Sequence, residues 1–173
     1  MLNALRRSSA RSRLVRTLYT ALVSQARQPS FYAEFGVEDT IDGRFDMVVV
    51  HAWLVLEKLQ NDGQNEVARR LSVAIFVGFA EALRDLGAGD MGMGRKIKQM
   101  GDAFNGRMKA YGASASEAEL ALSILRNVYR GDAKRQSDAL AVARYAMVAR
   151  AHLAKCNLSL PDLDFGPFPQ RLA

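Results

Sequence analysis

The sequence predicts an all-α fold: a single-domain bundle of about six helices with a basic N-terminal arm and an irregular C-terminal tail. Three observations carry this. Apolar residues recur at i, i+3 and i+4 in six separate segments. Ala, Leu, Arg, Met and Glu, all good helix formers, are plentiful, and prolines number only four. At 173 residues, 49% hydrophobic and 24% charged, the chain has ordinary globular composition and enough length to bury one core. The expected division is a flexible basic arm over 1–12 and a helical domain over 13–173.

The first helix is expected over 11–26, with Leu14, Leu18, Ala21 and Leu22 on one stripe; Pro29 stops it. Phe31, Tyr32 and Phe35 follow in a polar loop, where they either fold back on the core or form a contact patch. The second helix, 41–60, has Thr40 or Asp42 as its cap and is apolar nearly all round from Phe45 to Leu56, which marks a central, buried helix. Asn61-Asp62-Gly63 is a turn. The third helix, 64–86, carries Val67, Leu71, Ile75, Phe79 and Leu83; Gly78 in its middle implies close helix packing. The fourth, 92–111, buries Ile97, Met100, Phe104, Met108 and Tyr111. Ser114 and Glu117 are spaced as a capping box for the fifth, 115–130, which Gly131 ends. The sixth, 136–156, presents Leu140, Ala141, Met147, Val148 and Ala151. The tail, LPDLDFGPFPQRLA, is too rich in proline for a helix, and its Leu and Phe residues are expected to drape over the bundle.

Residues 1–27 contain Arg6, Arg7, Arg11, Arg13, Arg16 and Arg27 and no Asp or Glu, so this segment accounts for the whole net charge of +6. Such a segment favours anionic surfaces: RNA, lipid headgroups or an acidic partner. No second basic stripe of similar strength follows, so DNA is not an expected partner. No apolar run approaches the roughly 20 residues of a transmembrane helix. Cys156 is the only cysteine and reads as packing. His51 and His152 lie in apolar helical runs without partners at metal-ligand spacing, and read as core and helix-end residues. No catalytic constellation, metal site or cofactor site is expected.

GAGDMG, Gly87 to Gly92, matches G-x-G-x-x-G. That fingerprint binds phosphate only between a strand and a helix, and here a helical stripe precedes it. A phosphate loop from Gly89 to Gly94 fails as well, since Arg95 stands in place of Lys and no Ser or Thr follows. The glycines read as a helix–helix corner.

Three longer strings carry a resemblance. LYTALVSQARQPSFYAEFGVEDTIDGRFDMVVVHAWLVLEKL, DLGAGDMGMGRKIKQMGDAFNGRMKAY and LRNVYRG resemble blocks of the ubiquinol–cytochrome c chaperone family, over roughly Leu18 to Gly131. The chain departs from that pattern at AIFVGFAEAL and MGMGRK. The resemblance implies a non-enzymatic, helical assembly factor for the cytochrome bc1 complex. Its implied client is newly made cytochrome b or another bc1 subunit. Ribosome, inner-membrane surface and a small partner protein are further implied contacts. The family-like block starts near the N-terminus, so a bacterial member at the cytoplasmic face of the inner membrane is expected, the mitochondrial matrix being the alternative.

Methionines repack against varied surfaces. Met91 and Met93, with Arg95 and Lys96, are therefore candidate client contacts, and Phe31, Tyr32 and Phe35 are a second candidate patch. Arg6, Arg7, Arg11 and Arg13 are candidates for anionic-surface binding. The competing function is a helical adaptor that binds RNA or anionic membrane through the arm alone.

Overall fold

The computed structural model describes residues 2–85, 90–158 and 163–168. In chain order the elements are α1 (Leu2–Ala26), α2 (Pro29–Ala33), α3 (Ile41–Asn61), α4 (Asn65–Asp85), α5 (Asp90–Ala113), α6 (Glu117–Asn127), a 3₁₀ turn (Ala133–Arg135) and α7 (Gln136–Lys155). The described residues contain no strand, and the fold is all-α. The backbone of α1 is helical from Leu2, nine residues ahead of the expected start.

α3 is the centre. Thr40 Oγ1 accepts from Gly43 N–H at 3.1 Å, which satisfies one of the free donors of the first turn. Every residue from Phe45 to Leu56 is buried, because α1, α4, α5 and α7 all pack on this helix. The β-branched run Val48–Val50 is compatible with a helix here because tertiary burial outweighs its small propensity deficit. Gly63, at φ 71°, turns the chain into α4, and Gln64 N–H donates to Leu59 O at 2.8 Å.

α1 crosses α4 at Gly78. A Cβ built there would lie 2.0 Å from Tyr19 Oη, so only glycine admits the tyrosine at this distance. The remainder of α1 buries Val15, Leu18, Leu22 and Ala26.

Two local expectations shift. The capping box forms two residues later: Ser116 Oγ accepts from Glu119 N–H, and Glu119 Oε2 accepts from Ala115 N–H at 2.9 Å. Ser114 instead donates its hydroxyl to Ala110 O, and Glu117 pairs with Arg144. α6 ends at Asn127, and Gly131 (φ 79°) closes the following turn by donating to Leu125 O.

The buried face of α7 also differs from the expected one. It is Ala139, Val142, Ala143, Tyr145, Ala146, Ala149 and Leu153, while Leu140 and Ala151 are exposed. Small alanines let α7 approach α3 and α6 closely, so a face of alanines set around Tyr145 goes inward.

Tyr145 makes the principal polar contact of the core. Gln25 Nε2 donates to its hydroxyl at 3.0 Å, and that hydroxyl lies 2.9 Å from His51 Nε2. His51 Nδ1 lies 2.8 Å from the Met47 carbonyl. A carbonyl only accepts, so Nδ1 carries the hydrogen and Nε2 accepts from Tyr145. Burial pushes His51 down to about 4, so the ring is neutral. Phe31, Phe165 and Phe168 pack around this chain of bonds, and His152 Nδ1 holds Asp164 at 2.9 Å, anchoring the tail.

A candidate binding cleft between the helices

The expected site residues do not converge. Phe31 and Phe35 are fully buried, so of the loop's two readings the core one holds for them. Tyr32 is half-buried and donates its hydroxyl to Ala26 O at 2.9 Å. Met93 is 7% exposed and so is not presented at the surface. Arg95 and Lys96 are exposed on the first turns of α5. Arg11 and Arg13 are exposed on α1. The side chains of Arg6, Arg7 and Met91 lie outside the described residues, as does Gly87. Gly92 and Gly94 are helical, inside α5, so the second half of GAGDMG is the start of a helix. Its described flanks, α4 and α5, are both helices, which removes the strand–turn–helix setting that phosphate binding by this motif requires.

The structure puts a concave site elsewhere. Between α1, the start of α3, α4 and α5 lies a cavity of about 300 Å³. Tyr19 and Val23 come from α1; Ile41, Phe45 and Val48 from α3; Ile75, Phe79 and Leu83 from α4; Met100 from α5. Phe45 and Phe79 rings meet at 4.9 Å on its wall. Ile41 stands 46% exposed at its edge. A second recess of about 490 Å³ shares Ile41, Phe45, Leu83 and Met100 with it and adds Lys96, Gln99, Arg107 and Arg130.

Beneath that second recess sits a fully buried carboxylate, Asp46. Arg107 Nε lies 2.8 Å from its Oδ1, as an ion pair without hydrogen-bond alignment, and Arg130 Nη1 donates to its Oδ2 at 2.7 Å. Burial raises the Asp46 carboxyl to about 6, against the pull of the two guanidiniums. Arg130 itself holds a left-handed backbone (φ 56°) and also donates to Asn127 O. Arg107 stacks over Phe45 at 5.3 Å. At the opposite rim Arg44 and Asp39 form a two-point exposed pair, which holds the Asp39 carboxyl below the usual range.

Chemically the cleft offers an apolar floor, aromatic walls and a cationic lip. Among the described residues no group of three or more His, Cys, Asp or Glu is arranged to hold a metal ion. Sequence reasoning missed Ile41, Phe45, Phe79, Arg107 and Arg130 as one site. They come from four elements with no fixed spacing; Ile41, Phe45, Arg107 and Arg130 lie in the three family-like strings, but nothing in those strings joins them into one site.

The sequence profile of a family described as ubiquinol-cytochrome C chaperone matches residues 33–159. The crystal structure of the Cbp3 homolog from Brucella abortus is similar, with a TM-score of 0.84 and 31% sequence identity. That match covers 97% of this chain and 98% of the other. No curated protein sequence matches.

Proposed function

The chain belongs to the ubiquinol–cytochrome c chaperone family, and on that premise we propose that it is a non-enzymatic assembly chaperone of the cytochrome bc1 complex that holds newly made cytochrome b. The carrying observation is the family match, which runs from the end of α2 through α7. The molecule's surface is consistent with such a task. Val73 and Val77 are exposed one turn apart on α4. An apolar, helical client needs this kind of surface before its cofactors and neighbours are in place.

Placement at the cytoplasmic face of the inner membrane belongs to the same proposal. No described helix is long and apolar enough to cross a membrane, so contact would be peripheral. Arg11 and Arg13 would then add salt-sensitive attraction to lipid or ribosomal RNA.

The test is deletion of the gene in a bacterium that makes a bc1 complex. Assembled complex should fall while cytochrome b transcript stays constant, and re-expression should restore it. A normal level of complex in the deletion strain sinks the proposal. Pull-down of crosslinked cytochrome b decides the client. For the arm, charge reversal at Arg6, Arg7, Arg11 and Arg13 should reduce pelleting with anionic vesicles or ribosomes.

A further inference from the structure

The cleft's dimensions and charges point to a ligand smaller than a protein client. The inner cavity, at about 300 Å³, lies at the lower end of the size of small-molecule pockets. Its lining is mainly hydrocarbon, from Val23, Val48, Ile75, Phe79, Leu83 and Met100, and also includes Arg27, Thr40 and the paired Asp39 and Arg44. The part of a ligand that fills the apolar side is hydrocarbon too.

The lip has the opposite character. Lys96 is exposed and forms no ion pair among the described residues. Arg107 and Arg130 share the one carboxylate of Asp46, which leaves a positive charge over. Asp42 opposes them on the same rim. The sum at the lip is still cationic. Apolar depth and cationic lip share Ile41, Phe45, Leu83 and Met100, so one molecule reaches both.

We propose that this cleft binds a single-chain anionic lipid, with its acyl chain between α1, α3, α4 and α5 and its head group at Lys96, Arg107 and Arg130. The site does not depend on which bc1 subunit is the client. Guanidinium and ammonium groups fit carboxylate or phosphate heads alike, and the geometry favours a charged head over a neutral one.

Titration calorimetry and thermal shift of the full chain test this with four probes: decyl phosphate, decanoate, decanol and inorganic phosphate. Decyl phosphate and decanoate should bind saturably, one per chain, and raise Tm. Decanol, with the same chain and no charge, should bind at least about tenfold more weakly, since it forgoes the charge-assisted bonds of the head group. Inorganic phosphate should not saturate. Lys96→Glu should weaken decyl phosphate about tenfold by the same reasoning. Ala82→Phe, which fills the cavity mouth from α4, should weaken decyl phosphate and decanol together. Helical content and unliganded Tm show that both variants are folded; should Ala82→Phe not fold, Lys96→Glu and the probe series still decide. Equal affinity for decanol and decyl phosphate overturns the proposal, as does saturable binding of phosphate alone. So does unchanged affinity in folded Lys96→Glu. If hydrogen exchange shows a cytochrome b segment protecting the cleft while decyl phosphate does not bind, the occupant is the client and the lipid site is refuted.

Discussion

The two sides of α3 are built differently. Toward α7 and the tail, His51, Tyr145 and Gln25 complete one another's hydrogen bonds inside a shell of Phe31, Phe165 and Phe168. Toward α4 and α5, Phe45 and Val48 border a cavity, Val73 and Val77 face outward, and α5 carries Gly92, Gly94, Gly101, Gly106 and Gly112 along its length. Closed packing raises the free energy of local opening; cavities and helix glycines lower it. The α7 side therefore carries the stability, and the α4–α5 side carries the adaptable surface.

The largest expected effect tests this directly. Phe31→Ala removes a fully buried ring that touches His51, Tyr145 and Phe168, and should cost about 3–5 kcal/mol. Met100→Ala, half-buried on the cleft wall, should cost about 1 kcal/mol. Urea unfolding of both variants gives the comparison. Similar losses would mean that the two sides are equally well packed.

Gly78→Ala comes next. Its Cβ would stand 2.0 Å from Tyr19 Oη and 3.0 Å from Cζ, an overpacking expected to cost about 1–3 kcal/mol. Tyr19 also lines the cavity, so a smaller side chain there relieves the clash. Tyr19→Leu should recover much of the loss in the double variant, giving a non-additive cycle. Strict additivity would show that α1 and α4 do not meet at this point.

Acid separates the two sides by sign. His51 has a folded value near 4, below its ordinary 6.5, so the stability of burying it neutral is present above pH 6.5 and is lost as pH falls toward 4. Asp46 is raised from 3.8 to about 6, so its contribution is present below pH 3.8 and is lost as pH rises through 6. Between pH 4.5 and 6 the two oppose each other, each with a slope of at most about 1.4 kcal/mol per pH unit. Relative to the parent protein, Asp46→Asn should lose stability on acidification and His51→Gln should gain it. Urea midpoints at pH 6.0 and 4.5 measure both differences. Parallel shifts of the same sign would contradict the assignment.

What was legible in the sequence follows the same division. α3 was readable because an all-round apolar run has one stable place, the centre of a bundle. Gly78 was readable because a mid-helix glycine needs a neighbour to justify it. The α7 face was not: hydrophobicity favours Leu140 and Val148, whereas close packing favours Ala139, Ala143, Ala146 and Ala149. The capping box was ambiguous because two serines and two glutamates, each two apart, satisfy the same spacing in either register. The cleft was the least legible. The Asp46–Arg107–Arg130 cluster joins residues from α3, α5 and the turn after α6, and no period in one dimension encodes that meeting. Met93 was open between core and contact surface because methionine suits both equally, and it is buried.

The smallest expected effect concerns α5 alone. Gly106 is exposed, helical, and a Cβ there would meet nothing within 4 Å, so no packing requirement keeps a glycine at this position. Gly106→Ala should raise stability by about 0.5–1 kcal/mol, through the lower entropy cost of ordering alanine. If the α4–α5 side opens on its own, the gain should appear as slower amide exchange in α5, with α7 amides changed little. Equal slowing in both helices would make the bundle one cooperative unit and remove the division between its two sides. The same variant links stability to function: a chaperone that uses α5 loosening to admit its client should assemble less bc1 complex when α5 is stiffened, although the protein itself becomes more stable.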